Sequence, residues 1–273
     1  MAAIEGSAIS ADGIPLSFEV RGSGTPTLVF VHGWSCDRAY WKHQMAHFAE
    51  RSQVVAVDLA GHGESGGGRA EWTMPAFGED VVAIADQLGL ERMVLVGHSM
   101  GGDVIVEAAR RLRDRVAGLV WVDVYPTLER DESWDAEAFM APFRADFVAW
   151  TQDFVRGMFL LTSDERLVEW VAADIAAAPR EIALDALEHA VTFERFIVAA
   201  LPEIRAPLVS INAGYEPTDV ESLERHGFRT IVVPEVGHFL MMEEPEAFNR
   251  LLERTVAEFA SVRAAPGATP GRS

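Results

Sequence analysis

The sequence predicts an α/β fold: a mostly parallel eight-stranded sheet with helices on both faces and a helical segment inserted after the sixth strand. Two observations predict it. Apolar runs suited to buried strands alternate with segments of helical periodicity, and this alternation stops between about residues 127 and 201 before it returns. Runs that are apolar on both faces and joined through helices are typical of a parallel sheet covered on both sides.

The strands and helices of the sheet region come from the two ends of the chain. Residues 7–22 are expected to form a hairpin that turns at Asp12-Gly13. The other predicted strands are 27–33, 53–58, 92–97, 118–124, 207–213 and 229–235, and the predicted helices are 38–49, 74–89, one starting at Ser99, and about 244–259. These elements together predict one core domain made of residues 1–126 and 202–263.

Residues 127–201 differ from the rest because they contain no convincing strand and many aromatic side chains. They hold three of the seven Trp and seven of the fifteen Phe residues, and one helix is expected to open with a capping box at Thr162 and Glu165. We expect this segment to form a helical cap over the carboxyl ends of the strands. The cap residues predicted to face an apolar substrate pocket are Trp150, Phe154 and Phe159.

The composition excludes several classes of partner. Lys and Arg number 23 against 42 Asp and Glu, a net charge of −19, which argues against nucleic acid or an anionic membrane surface as a partner.

Cys36 is the single cysteine, so no intrachain disulfide can form. No signal peptide or apolar run of about 18 residues is recognisable. We therefore expect a cytoplasmic monomer or homodimer with a disordered tail at 264–273.

The segment "GHSMGG" (97–102) joins a predicted strand to a predicted helix and matches the pattern G-x-S-x-G. The turn is strained, and side chains two residues on either side of Ser99 would collide, which explains Gly97 and Gly101. The helix that starts at Ser99 directs its N-terminus toward the serine, where it favours developing negative charge. Ser99 is therefore the candidate nucleophile.

Four motifs resemble those of the α/β-hydrolase fold family, and the similarity covers nearly the whole chain. In chain order they are "HGWS" (32–35), "DLAGHGES" (58–65), "GHSMGG" (97–102) and "VGHFLMMEEPEAFN" (236–249). The resemblance implies an α/β-hydrolase fold and, for Ser99, a triad with a histidine and a carboxylate.

His238 is the candidate general base, because a serine hydroxyl is a poor nucleophile until a base takes its proton. The resemblance also implies that the backbone N–H groups of Trp34 and Met100 form an oxyanion hole. Trp34 and His98 are further expected among the residues that bind the substrate. His32 is expected to brace the oxyanion loop.

The carboxylate behind His238 is open between two positions and a weaker third. Asp123 follows the sixth strand, where sites gather in this kind of sheet. Many members of the family carry the acid after the seventh strand as G-x-x-D, but this chain reads "NAGYEPTD" there. Aligning Ala213 with the usual glycine makes Glu216 the alternative acid, with Asp219 further along.

These residues predict a serine hydrolase that cleaves a carboxylic ester or lactone of a small to medium hydrophobic substrate through an acyl-enzyme. The resemblance to related folds with a Glu after the seventh strand implies acyl-homoserine lactones as one option. A cofactor-free haloperoxidase or perhydrolase, or a C–C hydrolase, would use the same triad. A ligand sensor with slow turnover is a third possibility. Ser99 argues against enzymes that need a carboxylate nucleophile. No cofactor and no metal is expected, since His43 and His47 lack a carboxylate partner.

Overall fold

The computed structural model describes residues 3–129 and 134–262, and its centre is one eight-stranded sheet. The strands are β1 (Ile4–Ile9), β2 (Pro15–Arg21), β3 (Thr27–Val31), β4 (Val54–Val57), β5 (Met93–His98), β6 (Val116–Val122), β7 (Leu208–Ala213) and β8 (Phe228–Val233). Their spatial order is β1-β2-β4-β3-β5-β6-β7-β8, and only β2 pairs antiparallel with its neighbours. The predicted, mostly parallel sheet is confirmed.

Helices enclose this sheet. Those outside the insertion are α1 (Lys42–Phe48), α2 (Met74–Gln87), α3 (Met100–Leu112), α8 (Val220–Arg225), α9 (Leu240–Glu243) and α10 (Pro245–Val262). The five strands from β3 to β7 are buried at every position, as a sheet covered on both faces requires. The sequence predicted one helix over 38–49, but its first part, Arg38–Trp41, is a 3-10 turn capped by Asp37.

The inserted segment is helical where the structure describes it. Its helices are α4 (Ala136–Ala145), α5 (Phe147–Arg156), α6 (Glu165–Ala176) and α7 (Arg180–Ala200), all between β6 and β7. The predicted capping box at Thr162 is wrong. Asp164 directly precedes α6 and accepts a hydrogen bond from the Arg166 amide at 2.9 Å, so Thr162 lies too far upstream to cap it.

The boundaries predicted between core and cap, at 126/127 and 201/202, stay predictions. The predicted tail at 264–273 lies outside the described residues. The name cap refers from here on to the segment 136–200, which comprises the helices α4–α7 and the turns between them.

Candidate active site

Ser99 lies in the turn between β5 and α3, at the carboxyl edge of the sheet. Its backbone angles, φ of 50° and ψ of −126°, lie in a region that residues other than glycine rarely adopt. This conformation costs on the order of 1–3 kcal/mol. The surrounding sheet and helix hold this conformation, and the Ser99 amide donates to the carbonyl of Val122 at 3.0 Å. The backbone thus lifts the hydroxyl away from both elements.

The two glycines around Ser99 allow close backbone approaches: Gly97 lets α3 pack against β5, and Gly101 lets α3 pack against the end of β3. A Cβ atom at Gly97 would fall on the carbonyl oxygen of Gly101, and one at Gly101 would lie 2.5 Å from the carbonyl oxygen of His32. Both clashes are with backbone atoms, which cannot rotate away. The collision expected from the sequence is therefore present on both sides of the serine.

Asp123 and His238 form a close pair beside Ser99. The Nδ1 atom of His238 lies 2.6 Å from Oδ2 of Asp123, and both side chains are buried. His98, which precedes Ser99, pairs in the sheet with Val122, which precedes Asp123. Asp123 then leaves β6 with φ of 51°. Neighbouring strands therefore end with the serine and the carboxylate side by side.

The second oxygen of the Asp123 carboxylate is also engaged. Oδ1 accepts a hydrogen bond from the Ala213 amide at 2.7 Å, at the end of β7. Because a carboxylate accepts and Nδ1 donates, the Nε2 atom of His238 is left free to accept a proton. The arrangement orients the ring and fixes its tautomer.

The other two carboxylates considered from the sequence lie elsewhere. Glu216 is exposed, and its Oε1 accepts from the Tyr215 hydroxyl at 3.2 Å. Asp219 caps α8 by accepting from the Ser222 amide at 3.0 Å. Of the three, Asp123 is the one whose carboxylate meets the imidazole.

The loop after β3 brings Trp34 next to the serine. A Cβ atom at Gly33 would lie 3.2 Å from Cβ of Ser99, so the loop backbone passes directly beside it. His32 braces this loop as expected, with Nδ1 2.8 Å from the carbonyl of Gly33 and Nε2 accepting from the Leu59 amide at 3.1 Å. The other expected donor, Met100, is the first residue of α3, where amide groups lack a partner within the helix.

His98 is buried beside His238, with the two ring centroids 4.5 Å apart. Burial lowers the pKa of His98 well below its usual value, so the ring is neutral at neutral pH. Its Nε2 atom lies 3.0 Å from the carbonyl oxygen of His238, and since a carbonyl only accepts, Nε2 carries the proton. His98 therefore holds the backbone of the His238 loop.

A small cavity of about 20 Å³ lies between the strand ends and the cap, close to the space that one water-sized group needs. Ser99, His98, His238 and Trp34 are among the residues that line it. The remaining lining residues are Gly33, Cys36, Val155, Met158, Ile175 and Phe239. The wall on the cap side is thus aliphatic.

The three aromatic cap residues predicted to face the pocket are not among those lining this cavity. Trp150 is 43% exposed, and Phe154 packs edge-on against Phe143 at a centroid distance of 5.2 Å. Phe159 stacks on Phe239 at 5.1 Å and so supports the wall from behind. Helical spacing marked the aromatic cluster but could not tell which face of α5 turns toward the serine. Val155 and Met158 carried no distinguishing signal in the sequence.

Within 3–129 and 134–262, no group of three or more His, Cys, Asp or Glu side chains is arranged to hold a metal ion. In the same residues, no helix is both long and apolar enough to cross a membrane.

The family model described as "Alpha/beta hydrolase family" matches residues 28–251. The chain belongs to this family, and the fold expected from its four motifs is confirmed. The chain spans between 28% and 41% of the length of the curated relatives that it matches at 34–38% identity.

Several relatives match over nearly their full length. A 3-oxoadipate enol-lactonase of Acinetobacter baylyi is 25% identical over 261 residues, which cover 92% of this chain and 96% of that protein. A thermophilic esterase from Thermogutta terrifontis has a TM-score of 0.79 at 25% identity and covers 95% of this chain and 99% of its own. Est816, an N-acyl homoserine lactone degrading enzyme, has the same TM-score and identity, with 90% and 99% covered. These similarities support a hydrolase.

Proposed function

We propose that this protein is a serine hydrolase that cleaves carboxylic ester or lactone bonds of small hydrophobic substrates through an acyl-enzyme. One observation carries the proposal. Ser99, on its strained turn, shares a small cavity with His238, whose Nδ1 lies 2.6 Å from Asp123. A nucleophile, a base and a carboxylate that orients the base are the parts that acyl transfer needs.

The proposed reaction begins with attack of Ser99 Oγ on the substrate carbonyl carbon while His238 Nε2 takes the serine proton. Negative charge develops on the carbonyl oxygen, where the N–H groups of Trp34 and Met100 would donate to it. The imidazolium that forms is stabilised by Asp123 and then protonates the leaving alkoxide. A water molecule, activated by the same imidazole, releases the acid and restores the serine.

The cavity supports a short acyl group as the preferred part of the substrate. Its volume of about 20 Å³ suits a group about as large as one water molecule, such as the methyl of an acetyl ester. The aliphatic side chains of Val155, Met158 and Ile175 line it and offer no hydrogen bond to a polar acyl chain. Short acyl esters are therefore the first substrates to try, and lactones the second.

The proposal is tested with p-nitrophenyl esters from acetate to octanoate, a lactone panel, and the Ser99→Ala variant. We expect hydrolysis of the short esters, with a loss of at least about 10³-fold in Ser99→Ala. Equal turnover by both proteins would contradict it. Peroxide added with acetate tests the perhydrolase alternative, and binding of a substrate without turnover would favour the ligand sensor.

A further inference from the structure

The Trp34 side chain ties the loop after β3 to the cap. Its indole Nε1–H donates to the backbone carbonyl of Ala183 at 2.7 Å, in the first turn of α7. The ring is 7% exposed and packs edge-on against Phe143 and Phe147 of the cap, at centroid distances of 5.7 and 6.3 Å. Trp34 therefore has its backbone in the core and its side chain inside the cap.

His32 braces the start of this loop from the core, but the side chains of Ser35 and Cys36 do not connect the loop to the cap. Ser35 has φ of 55°, and its hydroxyl is buried without a hydrogen-bond partner among the described residues. Cys36 turns back on the loop, with Sγ 3.4 Å from the carbonyl of Trp34. Among residues 33–36 of the described chain, Trp34 is the one whose side chain hydrogen-bonds to the cap.

The acceptor end of this contact is anchored to the core. Near Ala183 in α7, the carboxylate of Asp185 accepts from the Trp72 backbone amide at 2.6 Å, and Trp72 belongs to the loop before α2. The first turns of α7 are thus held by a backbone group of the core as well as by the indole. The cap can therefore serve as a fixed support for the loop.

From these contacts we infer that Trp34 is a positioning residue. The hydrogen bond from its indole to the cap fixes the loop, so that the Trp34 backbone N–H points at the carbonyl oxygen of the substrate. The inference rests on the proposed function, since the N–H matters only if an oxyanion forms at Ser99. An oxyanion donor works through fixed geometry, and a displacement of about 1 Å can cost about 100-fold in rate. The oxyanion hole is then correctly formed only while the cap is packed against the Trp34 loop.

The test compares Trp34→Phe with Trp41→Phe. Trp41 is a matched control because it is also a buried tryptophan, packs on Phe30 at a centroid distance of 5.0 Å, and has an indole N–H without a partner among the described residues. For p-nitrophenyl acetate we expect kcat to fall about 10-fold to 100-fold in Trp34→Phe, with KM within about 3-fold. In Trp41→Phe both constants should stay within about 2-fold, since that substitution removes ring area without a hydrogen bond. Equal effects of the two substitutions would overturn the inference.

Hydrogen exchange provides a readout that does not depend on turnover. Exchange of the segments 33–37 and 180–187 should accelerate together in Trp34→Phe and stay unchanged in Trp41→Phe, because the two segments share the lost bond. If hydrogen exchange in 180–187 is unchanged in Trp34→Phe, the proposed coupling between the loop and the cap is overturned. If Trp34→Phe does not fold, the wild type is compared before and after phosphonylation of Ser99: the coupling requires both segments to gain protection, and a gain in one alone contradicts it.

The outcomes separate this inference from the proposed function. A wild type without hydrolase activity overturns both. If the wild type is active, Ser99→Ala is inactive, and kcat is equal in Trp34→Phe and Trp41→Phe, the proposed hydrolase is supported. In that case only the role of the Trp34 indole is overturned.

Discussion

The strand ends of the core and the cap differ in how they fix the groups around the cavity. In the core, backbone geometry sets the positions: Ser99 and Asp123 both have positive φ, at 50° and 51°, at the ends of neighbouring strands. In the cap, a few individual contacts fix the positions. One of them is the hydrogen bond that the His238 amide donates to the carbonyl of Met158 at 2.9 Å. In the proposed hydrolase, the core would place the nucleophile and its partners, while the cap would shape the acyl pocket and support the Trp34 loop.

The largest effect is expected at the carboxylate behind His238. Asp123→Asn should lower kcat by about 10³-fold or more, because the amide no longer stabilises the imidazolium or fixes its tautomer. Glu216→Gln is the matched control, with an expected change below about 3-fold. Steady-state kinetics of both variants on one ester decide this, and a greater loss in Glu216→Gln would reverse the assignment.

A second test breaks the backbone geometry of the core. Gly97→Ala should destabilise the fold by about 1–3 kcal/mol or more, because its Cβ would overlap the Gly101 carbonyl oxygen. Gly67→Ala is the control, since a Cβ there meets nothing closer than 3.8 Å, and it should change stability by less than about 1 kcal/mol. Urea unfolding measures both. Similar stabilities would show that the close approach at Gly97 is not required.

A third test changes the cap wall. Met158→Ala enlarges the cavity beside Ser99, so the ratio of kcat/KM for butyrate over acetate should rise about 10-fold. Met140→Ala removes a buried cap methionine that is not among the residues lining the cavity. It should lower stability and leave the ratio unchanged. A ratio that rises equally in both variants would assign the effect to general loosening of the cap.

The smallest effect concerns the contact between the cap and α9. The Ser163 hydroxyl donates to Glu243 Oε2 at 2.6 Å, and burial raises the pKa of Glu243 above its ordinary 4.5. The folded protein therefore binds this proton more tightly than the unfolded chain does, and stability from this group falls as the pH rises above 4.5. Glu243→Gln should remove that decline, measured by urea unfolding at several pH values. Parallel pH profiles would contradict it.

Much of the fold followed from the sequence because apolar runs report burial directly. The sheet and the turn at Ser99 were predicted from pattern, and Gly97 and Gly101 have the steric role expected of them. The cap was harder. Its aromatic cluster was found, but the direction of α5 depends on packing between helices that no single period encodes, so Trp150 and Phe154 were predicted to line a cavity that Val155 and Met158 line instead.

The sequence favoured Asp123 as the acid but left Glu216 as an alternative, because both residues follow strands at the same edge of the sheet. Their difference is one of position in three dimensions: the Asp123 carboxylate meets the imidazole and the Ala213 amide at once. Its role as the acid of a triad stays a prediction. The contact between Trp34 and Ala183 spans 149 positions and carried no signal in the sequence.

The central claim is that Ser99 is the nucleophile, and covalent labelling tests it most directly. The wild type and Ser99→Ala are treated with a fluorophosphonate probe, followed by intact-mass measurement and peptide mapping. We expect one adduct on the wild type, carried by the peptide that contains Ser99, and none on the variant. No adduct on the folded wild type, or an adduct that persists in Ser99→Ala, would contradict the claim.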